Sequence, residues 1–172
     1  MSVRFRILLL PGAIMEHTSL LGAYFVALRK FSDYSGRSAR REFWGFVLVA
    51  AFLQLLSLLA VIVLAKSGLD NFFAGESLLI IPGIVAAFHI IPGAAVMTRR
   101  FHDLGLSGIM TVLFAGFGGV FSLISATRVL ARFGVLGLAV LLLGTAIVMS
   151  FVSYPGTNRY GPPPRGVRNL LD

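Results

Sequence analysis

Cysteine is absent from the 172 residues, so no disulfide, thiolate nucleophile or Cys-ligated metal can be built. Charge is scarce as well. Asp, Glu, Lys and Arg make up 13% of the chain, about half of the roughly 25% carried by a soluble domain. The charges present are clustered, which leaves long uncharged stretches. That pattern excludes a soluble globular enzyme and equally excludes a disordered chain. Acidic residues are the scarcer sign, 7 against 15 basic ones, and none lies inside an apolar stretch. A proton-coupled transporter would therefore have little to work with.

What the chain has in abundance is apolar sequence: 57% hydrophobic residues and a mean hydropathy of +0.89. Four stretches approach the roughly 20 residues of helix needed to cross about 30 Å of hydrocarbon: 43–65, 78–98, 107–127 and 133–152. The first holds 15 Leu, Ile, Val or Phe in 23 residues, each favouring insertion by about 0.3–0.6 kcal/mol near the helix centre. The second is interrupted by Pro82 and Pro92, and the third is rich in Gly. A polar segment, 66–77, joins the first two spans, and the short charged 99–106 joins the next two. The tight 126–132 connection predicts an antiparallel hairpin of the last two spans. The expected organisation is an N-terminal extension (1–17), a four-helix membrane domain (18–154) and a cytoplasmic tail (155–172).

Orientation follows from the basic residues beside the spans. Arg4, Arg6, Arg29, Lys30, Arg37, Arg40, Arg41, Arg99, Arg100, Arg159, Arg165 and Arg168 fall on one side, and Lys66, Arg128 and Arg132 on the other. Both termini are expected in the cytoplasm. The pI near 11.1 is then the signature of held topology and of anionic lipid, not of nucleic acid. At the N-terminus, Arg4, Arg6 and an apolar run at 7–10 resemble the start of a signal peptide, but Pro11 and Gly12 break the run. Met15 opens a more ordinary segment, which makes 1–14 a candidate upstream extension. From 18 to 31, Leu20, Leu21, Tyr24, Phe25, Leu28 and Phe31 recur at helical spacing. The stretch is too short to span, and it reads either as an amphipathic interfacial helix or as a short fifth packing helix.

Three clusters lie at the cytoplasmic ends of the spans: Ser35-Gly-Arg-Ser-Ala-Arg-Arg-Glu-Phe-Trp44, Arg99-Arg-Phe-His-Asp-Leu-Gly-Leu-Ser-Gly108, and Asn158-Arg-Tyr-Gly-Pro162. In the first, Ser35 or Ser38 suits a helix cap, Glu42 the first turn, and Trp44 the headgroup level. Together these clusters resemble the YhaH-like bacterial inner-membrane family, known as domain of unknown function 805. The family's patterns are an SGRxxRxEFW opening, an RRxHDxGxSG loop and a closing NxYG-P, and the resemblance runs over residues 31–164. One departure is Ile109, where family members usually place Trp. The resemblance implies a small multi-helix protein of the inner membrane and carries no activity with it.

Arg37, Arg40, Arg41, Arg99, Arg100 and Arg159 offer guanidinium forks suited to phosphate or carboxylate. With His102, Asp103 and Asn158 they make either a site for an anionic lipid headgroup or other phosphorylated ligand, or a clasp of internal salt bridges. The Gly105-Leu-Ser-Gly108 sequence resembles the GxSG of rhomboid proteases, with His102 or His89 as the base on offer. Ser107 is more simply the N-cap of the third span, and no catalytic residue is assigned. His102 and Asp103 lack further metal ligands, so no metal site and no cofactor is expected. Within the spans, Gln54 and His89 both fall near the midplane and form a candidate hydrogen-bonded pair. Along the third span, Gly108, Thr111, Ala115, Gly119, Ser122 and Ala126 make a small-residue stripe expected to receive the fourth span or a second copy.

The sequence thus predicts an all-α membrane protein: a four-transmembrane-helix bundle with an N-terminal amphipathic interfacial helix and both termini cytoplasmic. The expected role is non-enzymatic, with the Arg/His/Asp cluster binding an anionic phospholipid or a membrane protein partner. A small transporter or channel subunit and a membrane-embedded enzyme are the alternatives.

Overall fold

The computed structural model describes residues 19–66, 80–127 and 130–164. Five helices follow one another there: α1 (Leu20–Arg29), α2 (Arg40–Lys66), α3 (Ile80–Asp103), α4 (Ile109–Ser125) and α5 (Ala131–Ser150). The N-terminal extension, the Met15 start, most of the 66–77 connection and the chain beyond 164 lie outside the described residues.

Three helices, α2, α3 and α5, are long and apolar enough to cross a membrane, which places the chain among multi-pass membrane proteins. The third predicted span is the shorter one. α4 has 17 residues and extends about 25 Å at 1.5 Å per residue. It begins at Ile109 with Gly108 as its cap, not at Ser107; the Ser107 hydroxyl instead accepts a long 3.4 Å bond from the Ile109 N–H. Large apolar side chains line the outside of these helices, with Leu123 74% exposed and Leu55 66%. A lipid-facing surface has this character, because hydrocarbon accepts such side chains as readily as a protein core does.

The chain divides into two compact units. One holds His17–Asp33 and Arg41–Val96. In it α1 is capped by Ser19, whose hydroxyl accepts from the Gly22 N–H at 3.1 Å. α1 meets α2 at Gly45, where a Cβ would stand 2.6 Å from the Ala23 Cβ and 3.1 Å from the Leu20 carbonyl oxygen. Only glycine permits that approach. The buried face of α1 is consequently Ala23, Tyr24 and Ala27, while Leu20, Leu21 and Phe25 point outward. Of the apolar stripe expected on this helix, Tyr24 alone is buried.

The other described unit contains Tyr34–Arg40 and the chain from Met97 onward, including the last turns of α3, all of α4 and α5, and the segment after α5. Here α4 and α5 form the expected antiparallel hairpin: Gly134 faces Ser125 and Phe121, Gly137 faces the Phe121 ring, and Gly118 faces Leu141. The close approach is made by glycines of α5 around an α4 phenylalanine. A Cβ at Gly137 would come 2.5 Å from the Phe121 ring. The expected stripe on α4 does not supply this contact. Ala115, Gly119 and Ser122 are exposed, and nothing lies within 4 Å of where a Gly119 Cβ would be. Its first members pack elsewhere: Thr111 accepts a 2.9 Å hydrogen bond from the Thr98 hydroxyl, and Gly108 lies against Thr98 and His102.

Candidate functional site

The end of α3 organises the second of these units. Its last residues are polar, and the helix stops in a Schellman turn: the Leu106 N–H donates to the Phe101 carbonyl at 2.9 Å and the Gly105 N–H to His102 at 3.0 Å. Gly105 has φ +77°, a left-handed value that a side chain would strain. The turn lets the final turn of α3 carry Arg100 and Asp103 inward, and both side chains are fully buried.

Asp103 is the centre of the cluster. Its Oδ1 accepts from Arg37 Nε at 2.9 Å and forms an ion pair with Arg37 Nη2 at 2.9 Å. Its Oδ2 accepts from Arg100 Nη1. The remaining guanidinium N–H groups turn to the segment that ends and follows α5. Arg100 donates to the Met149 carbonyl from Nε at 3.1 Å and from Nη2 at 3.0 Å, to the Phe151 carbonyl, and to Ser153 Oγ at 3.1 Å. Arg37 donates to the carbonyls of Tyr154, Gly156 (2.7 Å) and Gly161 (3.3 Å).

The physical logic is that of a helix end. The last carbonyls of α5 have no partner in their own helix, and a buried guanidinium satisfies them while its charge meets the negative end of the helix dipole. One carboxylate between two guanidiniums supplies the countercharge that makes their burial tolerable.

A second set of contacts pins the closing segment. Asn158 Nδ2 donates to the His102 carbonyl at 2.8 Å, and Asn158 Oδ1 accepts from the Tyr160 N–H at 2.9 Å. Asn158 and Gly161 also exchange backbone hydrogen bonds. The Tyr160 ring stacks on His102 with centroids 3.7 Å apart and planes within 6°, and Arg159 lies 4.7 Å over the same ring. His102 Nδ1 meets the Gly36 carbonyl at 3.1 Å.

The predicted site residues are therefore placed as follows. Arg37, Arg100 and Asp103 converge in one buried cluster, with His102, Asn158 and Arg159 beside it. Arg99 is buried, and its carbonyl accepts from the Ser38 N–H at 3.1 Å. Arg40 and Arg159 are exposed. Arg41, also exposed, belongs to the other unit. What the sequence did not indicate was the acceptor set: the carbonyls of Met149, Phe151, Tyr154, Gly156 and Gly161 are invisible to residue type. The alternation of Gly and Pro after α5 was the available signal for a segment with free carbonyls.

The predicted Gln54–His89 pair is not formed. In the unit that holds both, His89 Nδ1 meets the Val85 carbonyl at 2.7 Å and Nε2 meets the Tyr24 hydroxyl at 2.9 Å. A carbonyl only accepts, so the proton sits on Nδ1 and the phenol donates to Nε2. Burial pushes the Tyr24 phenol up from its usual range, which keeps it a donor. Both ring nitrogens are thus taken, and Gln54 instead donates to the Pro82 carbonyl at 3.4 Å. A chain that ends on the Val85 carbonyl passes no proton onward, so the pair is a structural latch for α1. Among the described residues no group of three His, Asp or Glu side chains is placed to hold a metal ion.

An all-α, multi-pass membrane chain that closes one end with a buried Arg–Asp–Arg cluster is the class these features define. The chain belongs to the family described as "Protein of unknown function (DUF805)", which it matches over residues 31–162. That stretch contains all three motifs and every residue of the cluster. No curated protein and no solved structure matches the chain.

Proposed function

We propose that this protein is a non-enzymatic resident of the bacterial inner membrane, with four spans, α1 in the cytoplasmic interface and both termini cytoplasmic, and that its cytoplasmic face binds the phosphate of an anionic phospholipid. The four-span reading rests on the hairpin. The clasp joins the end of α3 to the end of α5, α4 starts just after α3, and α4 runs antiparallel to α5. α4 therefore runs alongside a helix long enough to cross.

The lipid reading rests on a division among the arginines of one unit. Arg37 and Arg100 have their N–H groups taken by Asp103 and by carbonyls. Arg40 and Arg159 stay exposed at the same end, close enough for their charges to act on Arg100 and His102 respectively. Asp103, already shared by two guanidiniums, leaves that surface cationic, and a phosphate is its complement.

Native mass spectrometry of the protein extracted gently from its own membrane tests this. The expected result is a retained anionic phospholipid whose occupancy falls at least about fivefold in Arg40→Gln/Arg159→Gln, as loss of charge-assisted contacts requires. Equal lipid retention by the folded variant contradicts the reading, and a co-purifying protein released by the same substitutions points to a protein partner instead.

A further inference from the structure

Once the clasp and the pinned segment are accounted for, His102 Nε2 is a polar atom at this end of the molecule that takes part in neither. The Gly36 carbonyl at Nδ1 accepts only, so the proton belongs to Nδ1 and Nε2 carries a lone pair. His102 is 8% exposed, yet among the described residues its Nε2 takes no hydrogen bond. The ring that bears it cannot turn away, because Tyr160 stacks on it and Asn158 holds its backbone. Gly108 packs directly against the ring, where a Cβ would stand 3.0 Å from Nε2 and 2.8 Å from Thr98 Cγ2, so it brings no side chain over the nitrogen. Arg159, over the Tyr160 ring, brings a guanidinium to the same stack. A fixed imidazole acceptor, a glycine beside it with no side chain to cover it and a neighbouring exposed cation are the components of a ligand site. None of them is required by the clasp.

We infer that this stack reads the headgroup of the bound lipid: Arg159 takes the phosphate and His102 Nε2 accepts a hydrogen bond from a hydroxyl further along the headgroup. The site then selects a phosphodiester whose headgroup carries a hydroxyl, as a glycerol headgroup does. An ammonium group is the other donor such headgroups offer, but it would enter a surface already cationic with Arg40 and Arg159. Among the described residues Ser107 Oγ accepts from the Ile109 N–H at 3.4 Å and makes no hydrogen bond to Nε2, so Nε2 is not placed as its base. The inference rests on the anionic-lipid reading and adds to it the headgroup class and the residue that selects it.

The test compares two lipids of equal charge, phosphatidylglycerol and phosphatidylmethanol, competing in a phosphatidylcholine background for the full-length protein, with bound lipid read by native mass spectrometry. Wild type is expected to favour the glycerol headgroup about 3- to 10-fold, the worth of one hydrogen bond. His102→Asn keeps a donor near the Nδ1 position and removes Nε2. It should bring the ratio to about 1 while both anionic lipids still outcompete phosphatidylcholine. Thr98→Ser/Gly108→Ala, which relieves the Thr98 methyl contact and sets a Cβ beside Nε2, should do the same with the imidazole in place, and it serves if His102→Asn does not fold. A wild-type ratio of 1, or variants that keep the wild-type ratio, overturns the headgroup assignment and leaves the anionic-lipid reading standing. Loss of any anionic preference in wild type overturns both.

Discussion

The two polar regions of this protein solve the same problem by opposite means. Around Asp103, charges are buried, and each is met by a charge of opposite sign or by a carbonyl left free at the end of α5 and in the segment beyond it. Around His89, everything is neutral: one phenol, one imidazole and one carbonyl a helical turn away. The difference follows from where unsatisfied backbone acceptors exist. A helix end and the loop beyond it supply many, enough to absorb two guanidiniums. The interior of an apolar helix supplies almost none, so the polar group there is a ring that needs one donor and one acceptor. Charged groups should therefore dominate stability at the first region, and neutral hydrogen bonds should contribute modestly at the second.

Substitutions that break each region in turn sharpen this contrast. Asp103→Asn removes the countercharge shared by Arg37 and Arg100 and should cost about 3–5 kcal/mol, enough to lower the midpoint of thermal unfolding sharply or prevent accumulation of the protein. Gly105→Ala leaves every charge in place but forces a side chain into a left-handed turn. A loss of about 1–2 kcal/mol is expected, read from the same unfolding curve. Tyr24→Phe at the neutral latch should be the mildest. Hydrogen bonds between membrane helices average about 0.6 kcal/mol and reach about 1.7. The variant should remain folded while protease access to α1 rises. A Tyr24→Phe effect as large as that of Asp103→Asn would break the comparison.

Much of this was legible in the sequence. The apolar runs announced the helices, and the three motifs marked the residues that converge, because Gly36, Gly105 and Gly161 take positive φ at the turns that bring Arg37, Asp103 and Asn158 together. Residue type could not show that Arg37 and Arg100 were committed to backbone carbonyls, since every residue carries a carbonyl. Nor could it distinguish a small residue that receives a neighbour from one that faces outward. Gly119 and Gly137 look alike in a stripe, but only Gly137 has a Phe121 opposite. The partner of His89 was missed for a related reason. Tyr24 sits on a short helix whose apolar pattern left interfacial and packing roles both open, and Gly45 lets that helix settle on α2 and carry the phenol to His89. In a chain that lives in lipid, apolar side chains are a poor guide to the interior, and the glycines and polar atoms are the better one.

The central claim is that Asp103 and its arginines act as one unit. A double-mutant cycle on Arg37→Gln and Asp103→Asn, with unfolding free energies measured in mixed micelles, tests it most directly. The account predicts that the double variant loses less stability than the two single variants together by about 1–3 kcal/mol, because once one partner is gone the other no longer contributes through it. Additivity within about 0.5 kcal/mol would contradict it, since the two side chains would then be stabilising the protein independently.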